Sequence, residues 1–232
     1  MNLRVGTSGY SYPEWKGTFY PEKFPAAGML RYYAERFGTV EINNTFYRMP
    51  TTAQLEKWAA EVPEGFAFVL KMSQKITHIA RLRSIEDMAG YFFSTTVVLG
   101  PRLGPVLVQL PPNFKKDLER LRSFLALVPT GHRVAFEFRN PSWYDEDVFA
   151  EMRSRNASLC LAEADEEYDP PFVSTADWGY LRLRRPDYDD AMLNAWIERV
   201  KSQPWEDAFV FFKHEDKGMG PMFATRFIAL AG

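Results

Sequence analysis

Residues 106–138 read VLVQLPPNFKKDLERLRSFLALVPTGHRVAFEF and contain a complete strand, helix, strand unit. Residues 106–110 and 134–138 are short apolar runs rich in valine and phenylalanine, as is typical of strands buried on both faces. Between them, residues 117–128 carry apolar side chains at the spacing of one helix face, namely Leu118, Leu121, Leu125 and Val128. A helical crossover joins parallel strands, so this unit predicts a parallel sheet.

The same alternation extends in both directions along the chain. Further strands are predicted over residues 3–7, 39–43, 66–72, 158–161, 180–184 and 208–213. Further helices are predicted over residues 28–37, 52–60, 84–95, 145–154, 189–200 and 221–230. Eight such units in 232 residues fit a compact (β/α)8 barrel, a single TIM-barrel-like domain over residues 1–232. The acidic, proline-containing stretch 162–171 has no helical period, so we expect a loop in place of the sixth helix.

Composition excludes several classes of protein. Lys and Arg total 28 against 30 Asp and Glu, which is too balanced for a protein that binds nucleic acid over its whole surface. Cys160 is the only cysteine, which excludes an intrachain disulfide and a multi-cysteine metal site. The most apolar region, 88–110, is interrupted by Gly and Pro, and the start MNLRVGTSG has no secretory pattern. We therefore expect a cytoplasmic protein without a membrane partner.

Polar residues stand at the ends of the predicted strands, in pairs two residues apart. The pairs are Glu41 and Asn43, Lys71 and Ser73, Glu137 and Arg139, Arg182 and Arg184, and Lys213 and Glu215, with Gln109 closing a sixth strand. Because side chains alternate along a strand, each pair shares one face, and we expect that face to line the barrel interior. Barrel enzymes have their active sites at this end. An internal salt-bridge layer that plugs the barrel is the alternative.

Four residues at or just beyond these strand ends are candidate catalytic groups. Glu41 and Glu137 could serve as general acid and base if their environments separate their pKa values. Lys71 could neutralise an anion or form a Schiff base. His78, in the loop after the third strand, could carry a proton.

Candidate ligand-binding residues surround the same strand ends. They are Ser8, Tyr10, Asn43, Gln109, Arg139, Trp143, Arg182, Arg184, Lys213 and His214. The cations among them suit an anion, because barrel enzymes often bind phosphate with the loops after strands seven and eight. The aromatic residues at 10–24 are either a wall for a sugar or base, or a small core under the first loop.

The sequence predicts no cofactor and no metal site. The three histidines form no H-E-x-x-H or other clustered ligand motif, although a single divalent metal on Glu41 or Glu137 stays open. Nothing in the sequence predicts an oligomeric state.

Five ordered motifs together resemble one family. They are GTSGYSYPEWKGTFYP at 6–21, TVEINNTFYRMP at 39–50, LKMSQKITHIARL at 70–82, LGPVLVQLPPNF at 103–114 and FEFRNPSWY at 136–144. The chain is identified by them as similar to the YecE-like family, domain of unknown function 72. The resemblance implies a TIM-barrel-like fold and no particular activity. The chain departs from the family pattern at Arg184-Arg185 and at 213–220, where the replacements add positive charge.

Three functions are compatible with these features. The first is an enzyme acting on a small anionic or phosphorylated, sugar-like ligand at the carboxyl ends of the strands, by hydrolysis, lyase chemistry or isomerisation. The second is a protein that binds or processes nucleic acid through a local basic mouth. The third is a non-catalytic binding or scaffold barrel. Fold alone does not decide among them.

Overall fold

Eight parallel strands form a barrel in the computed structural model of this chain, which describes residues 1–163, 170–214 and 216–232. The strands are β1 (Asn2–Thr7), β2 (Thr39–Ile42), β3 (Ala67–Lys71), β4 (Leu103–Gln109), β5 (Val134–Glu137), β6 (Ser158–Ala162), β7 (Trp178–Leu183) and β8 (Asp207–Phe212). Each predicted strand overlaps one of these, so the (β/α)8 prediction is confirmed.

Helices lie between and after the strands along the chain. They are α1 (Met29–Ala34), α2 (Asn44–Tyr47), α3 (Thr52–Ala60), α4 (Glu86–Thr96), α5 (Leu118–Leu127), α6 (Glu146–Ser154), α7 (Asp190–Lys201) and α8 (Met219–Ala231). Between β6 and β7, the described residues 170–177 are not helical, and the rest of the loop expected there falls on residues 164–169, outside the described part of the chain.

Three of the helices begin where a side-chain oxygen accepts a hydrogen bond from an otherwise unsatisfied backbone amide. Thr51 accepts from the Gln54 amide at 3.3 Å before α3. Asp117 and Asp189 do the same before α5 and α7, accepting from the residue three positions on. These caps fix the point at which each loop on the functional side of the barrel gives way to its helix.

The sheet closes between its two edge strands, β1 and β2. The strand order is β1-β8-β7-β6-β5-β4-β3-β2, and Ser8 and Glu41 form a parallel bridge beyond the end of β1. The Gly9 amide donates to the Glu41 carbonyl at 2.8 Å, which completes the join at the carboxyl end. The first loop is thereby held beside the end of β2.

Between Thr7 of β1 and Thr39 of β2, a tyrosine hydroxyl takes the place of ladder hydrogen bonds. The Tyr33 hydroxyl accepts from the Thr7 amide at 2.8 Å and donates to the Thr39 carbonyl at 3.0 Å. A Cβ at Gly6 would lie 2.2 Å from the Thr39 carbonyl oxygen, so this close approach requires glycine.

Two apolar cores are separated by the barrel wall. The larger core packs strands against helices and includes Trp15 and Tyr20 of the first loop, both almost fully buried. Those two rings therefore belong to a core under the first loop rather than to a ligand-facing wall. The smaller core fills the barrel interior with Ala67, Val69, Leu107, Ala135, Cys160, Ala162, Trp178, Tyr180, Phe209 and Phe211. The side chains at the carboxyl ends of the strands rest on this packed interior.

Candidate functional site

A polar layer lies on top of the interior core. On five strands, an apolar interior residue is followed two positions later by a polar residue. Because alternate side chains of a strand share a face, the polar residue also faces the interior. These successions are Val69 to Lys71, Leu107 to Gln109, Ala135 to Glu137, Tyr180 to Arg182 and Phe211 to Lys213. The polar residues thus stand at the carboxyl ends of β3, β4, β5, β7 and β8, as the two-residue spacing predicts. We call the region that they line the mouth.

Arg182 joins two buried carboxylates across the mouth. Its Nη1 donates to Glu137 Oε2 at 2.6 Å, and its Nη2 donates to Glu41 Oε1 at 2.8 Å. All three side chains are at most 2% exposed. Such ions are costly to bury unless they are paired and hydrogen-bonded, and here a single guanidinium satisfies both acids.

Glu137 receives three further donors. Its Oε1 accepts from Arg139 Nε and from Arg184 Nη2, each at 2.5 Å, and from Gln109 Nε2 at 2.9 Å. The end of β4 and the residues that follow β5 and β7 are thereby tied to the end of β5. Among the described residues, three arginines share this one carboxylate, so positive charge exceeds negative charge around it.

Glu41 is held on the opposite side of the mouth. Its Oε2 accepts from the Tyr180 hydroxyl at 2.6 Å, and its Oε1 accepts from Asn43 Nδ2 at 3.2 Å. The buried Ser8 hydroxyl lies close enough to lower the pKa of Glu41, yet it falls outside normal hydrogen-bond geometry with any described atom. The sequence alone did not identify Tyr180, although its position two residues before Arg182 puts it on the same strand face.

Both carboxylates stay ionised. Burial by itself raises the pKa of Glu41, but the Arg182 charge and the Tyr180 hydrogen bond outweigh it and leave that pKa below its usual value. For Glu137, burial is likewise outweighed, here by Arg182, Arg184 and Arg139, and the pKa falls well below its usual range. Neither group is therefore a proton donor near neutral pH.

Lys71 is the cation that the acids do not neutralise. It is 8% exposed, and its Nζ lies 4.4 Å from the centre of the Phe46 ring without forming an ion pair to a described residue. Burial and the nearby Arg182 charge lower its pKa to about 8, against a partial opposing effect from Glu41 and Glu137. The more distant charge of Lys213 adds to the lowering of this pKa.

His78 borders the mouth beside Lys71. Its ring meets Phe46 edge to face at 4.9 Å, and its Nδ1 lies 2.9 Å from the Thr77 hydroxyl. Burial, followed by the charges of Lys71 and Arg139, lowers the pKa of His78. The imidazole is therefore neutral at neutral pH and can accept a proton.

The other candidate residues are placed less uniformly. Trp143 is fully buried, stacks on Phe138 at 4.9 Å and donates its indole N–H to the Phe114 carbonyl at 2.7 Å. Trp143 therefore lies in the apolar core, where this packing encloses its ring, and this position does not fit the predicted ligand-binding role.

Tyr10 and His214 lie at the edges. Tyr10 lines a small cavity of about 170 Å³ together with Asn43. His214 hydrogen-bonds through Nε2 to the Arg185 carbonyl and packs against Tyr188 and Phe223. Glu215, expected to share a face with Lys213, lies outside the described residues.

Two features are absent from the described part of the chain. No group of three His, Cys, Asp or Glu residues there could hold a metal ion. No helix there has the length and apolar character needed to cross a bilayer.

The paired burial of Arg182 makes it sensitive to substitution. Arg182→Met leaves two buried carboxylates without their shared partner, and we expect it to lower the free energy of unfolding by about 3–5 kcal/mol. Arg153→Met, which removes an exposed partner of Glu146, is the control and should cost less than about 1 kcal/mol. Urea denaturation of both variants measures the difference; equal losses would mean that the Arg182 pairs contribute no more than a surface ion pair.

Lys71 predicts a specific pH dependence of stability. Its pKa is about 8 in the folded protein and 10.5 for a fully solvated lysine, so between these values the unfolded chain binds a proton that the folded chain has released. Stability arising from this residue therefore rises with pH across that window. Relative to Lys71→Met, the wild type should gain about 2 kcal/mol of unfolding free energy between about pH 7 and pH 9.5.

Urea denaturation at the two pH values tests this expectation, with Lys75→Met as the control for removing a lysine charge from the following loop. A wild-type-to-variant difference that stays constant with pH would contradict it.

Comparison with known proteins assigns the family. Residues 4–232 match the family model described as protein of unknown function DUF72. The UPF0759 protein YecE of Escherichia coli strain K12 is 29% identical over 143 residues, which cover 61% of this chain and 50% of that protein. The UPF0759 protein YunF of Bacillus subtilis strain 168 is 32% identical over 164 residues, 66% of this chain and 56% of that protein. The matches thus span about half the length of these curated relatives.

Solved structures agree on the fold. A DUF72 family protein from Thermotoga maritima superposes with a TM-score of 0.88 at 25% identity, covering 99% of both chains. A DUF72 family protein from Enterococcus faecalis superposes with a TM-score of 0.80 at 20% identity, covering 99% of this chain and 97% of that one. Because the family model matches nearly the whole length of this chain, the chain belongs to the DUF72 family.

Proposed function

We propose that this protein is an enzyme that binds a small anionic ligand, such as a phosphorylated or carboxylated sugar-like molecule, in the mouth of the barrel. The excess of cations over anions supports this proposal. Within the described residues, the mouth carries four cations, on Lys71, Arg139, Arg182 and Arg184, around the carboxylates of Glu41 and Glu137. An anionic ligand would compensate the remaining charge.

The proposed roles follow from depth in the mouth. Arg182, Glu41 and Glu137 form a fixed floor, since the hydrogen bonds of Arg182 to both carboxylates hold all three side chains in place. Arg139 and Arg184 are 33% and 17% exposed, so they can turn hydrogen-bond donors toward a ligand while remaining paired with Glu137. A guanidinium offers more donors than one carboxylate uses, and its fork suits phosphate or carboxylate.

Proton transfer is assigned to Lys71 and His78. A lysine with a pKa of about 8 exists in both protonation states near neutral pH, which suits a general acid or base. Neutral His78 is the second carrier. Glu41 and Glu137, first considered as an acid–base pair, are better suited to holding positive charge in position than to releasing protons.

The alternative functions make different use of the same residues. A nucleic-acid-binding barrel would use the mouth cations as contacts to a phosphodiester backbone, with affinity falling steeply as salt rises. A non-catalytic barrel would bind the anion without needing a titratable Lys71. Binding titrations and a turnover assay distinguish these alternatives from the enzyme.

Calorimetric titration with methylphosphonate at low salt tests the proposal. We expect saturable binding that Arg184→Gln weakens by about tenfold, the loss of one charge-assisted hydrogen bond. Arg155→Gln, which changes an exposed arginine that follows α6 and precedes β6, controls for the change in net charge. Equal affinity in the wild type and Arg184→Gln would refute anion binding at the mouth.

A second arm tests catalysis. Sugar phosphates that bind the wild type are assayed for turnover with the wild type and with Lys71→Met. The enzyme proposal is supported if the wild type turns over a sugar phosphate and Lys71→Met still binds it but no longer turns it over. Binding without turnover in either protein would favour the scaffold alternative, and preferential binding of oligonucleotides would favour the nucleic-acid alternative.

A further inference from the structure

A second cationic pocket lies beside the mouth on the same side of the barrel. It has a volume of about 600 Å³, and its lining includes His78, Arg81, Arg83 and Arg120. The first three residues belong to the connection between β3 and α4, and Arg120 lies in the first turn of α5. Both connections follow the carboxyl ends of strands, which is the functional side of a barrel.

The positive charge of this pocket is only partly compensated. Arg120 pairs with Asp117 at 2.9 Å and donates from Nη1 to the Arg81 carbonyl at 3.2 Å. Arg81 and Arg83 form no ion pair with any residue that the structure describes. Two guanidinium groups therefore line an open polar pocket without an acidic partner in the described chain.

The backbone of this connection is held in an uncommon conformation. Arg81, Leu82 and Ser84 all have positive φ, at 49°, 61° and 50°. The preceding residues Lys75–Ile79 form a π-helix, and Leu82 is buried and donates its amide to the Ile76 carbonyl at 3.0 Å. Left-handed non-glycine residues and π-helical turns are costly and occur preferentially at functional sites. Here they anchor Leu82 while Arg81 and Arg83 line the pocket.

His78 connects the pocket to the mouth. It lines the pocket, and its ring contacts Phe46, whose face in turn lies under the Lys71 amine. The charges of Lys71 and Arg139 act on His78. His78 is therefore common to the pocket and the border of the mouth.

We infer that this pocket binds a second anionic group of the same ligand, so that the substrate class is a small molecule with two phosphoryl or carboxyl groups. The inference rests on the proposed function, because the first anionic group occupies the mouth. The uncompensated arginines and the fixed backbone are independent of the observations that support the mouth.

A series of α,ω-bisphosphonates, with one to six methylene groups between the phosphonates, tests the inference against methylphosphonate. Two linked anions that engage both sites bind more tightly than one, but only when the spacer matches the separation of the sites. We expect one spacer length to bind the wild type about tenfold or more tighter than methylphosphonate. The double variant Arg81→Asn/Arg83→Gln should lose this gain and keep its affinity for methylphosphonate. Asn is chosen at position 81 because it tolerates positive φ.

The controls separate the two proposals. Arg31→Gln/Arg155→Gln removes the same charge from exposed positions elsewhere and should keep the gain. A wild type that binds methylphosphonate but gains nothing from any spacer overturns the second subsite and leaves the mouth proposal intact. Absence of methylphosphonate binding overturns the proposed function and this inference with it. Tighter binding of a single-stranded oligothymidylate than of any bisphosphonate, lost in the pocket variant, would overturn the small-ligand inference in favour of nucleic acid.

Discussion

The mouth of this barrel depends on one buried guanidinium that has two carboxylates to satisfy. Arg182 reaches from β7 to Glu41 on β2 and to Glu137 on β5, so three strands that are distant in sequence share one electrostatic constraint. Removing Arg182 leaves the buried Glu41 without an ion-pair partner among the described residues, which is more costly than never having buried the set. The three side chains are therefore fixed, and they form a rigid surface on which the remaining mouth residues are arranged.

This arrangement leaves an excess of positive charge in the mouth. Glu137 already accepts from Arg139, Arg184 and Gln109 in addition to Arg182, and Glu41 is occupied by Tyr180. The acids consequently have little capacity left for Lys71, whose amine is buried against Phe46 and has a lowered pKa. A salt-bridge plug would balance its charges internally. The described mouth does not, which favours a site that an anion completes over a plug.

Much of the fold and part of the site could be predicted from the sequence. The period of two along β5 and β7 correctly placed Glu137 and Arg182 inside the barrel, because a parallel barrel leaves no polar outer face for them. Which acid pairs with which arginine could not be predicted, since Arg182 and Glu41 are 141 residues apart in the chain. Trp143 was misassigned because an aromatic residue in a polar motif has the same sequence signature whether it packs in a core or faces a ligand. That Arg81 and Arg83 line a pocket could not be predicted, because the positive φ of Arg81, Leu82 and Ser84 leaves no trace in the sequence.

On the proposed function, the Lys71 amine titrates near neutral pH inside an anion site. The most direct measurement is an NMR titration of the Lys71 side chain, with Lys71→Met to assign its resonance, in the free protein and with saturating methylphosphonate. We expect a pKa of about 8 in the free protein, and a higher pKa with the anion bound, because a bound anion favours the charged amine. An amine that titrates at the ordinary lysine value, and that the anion does not shift, would contradict it.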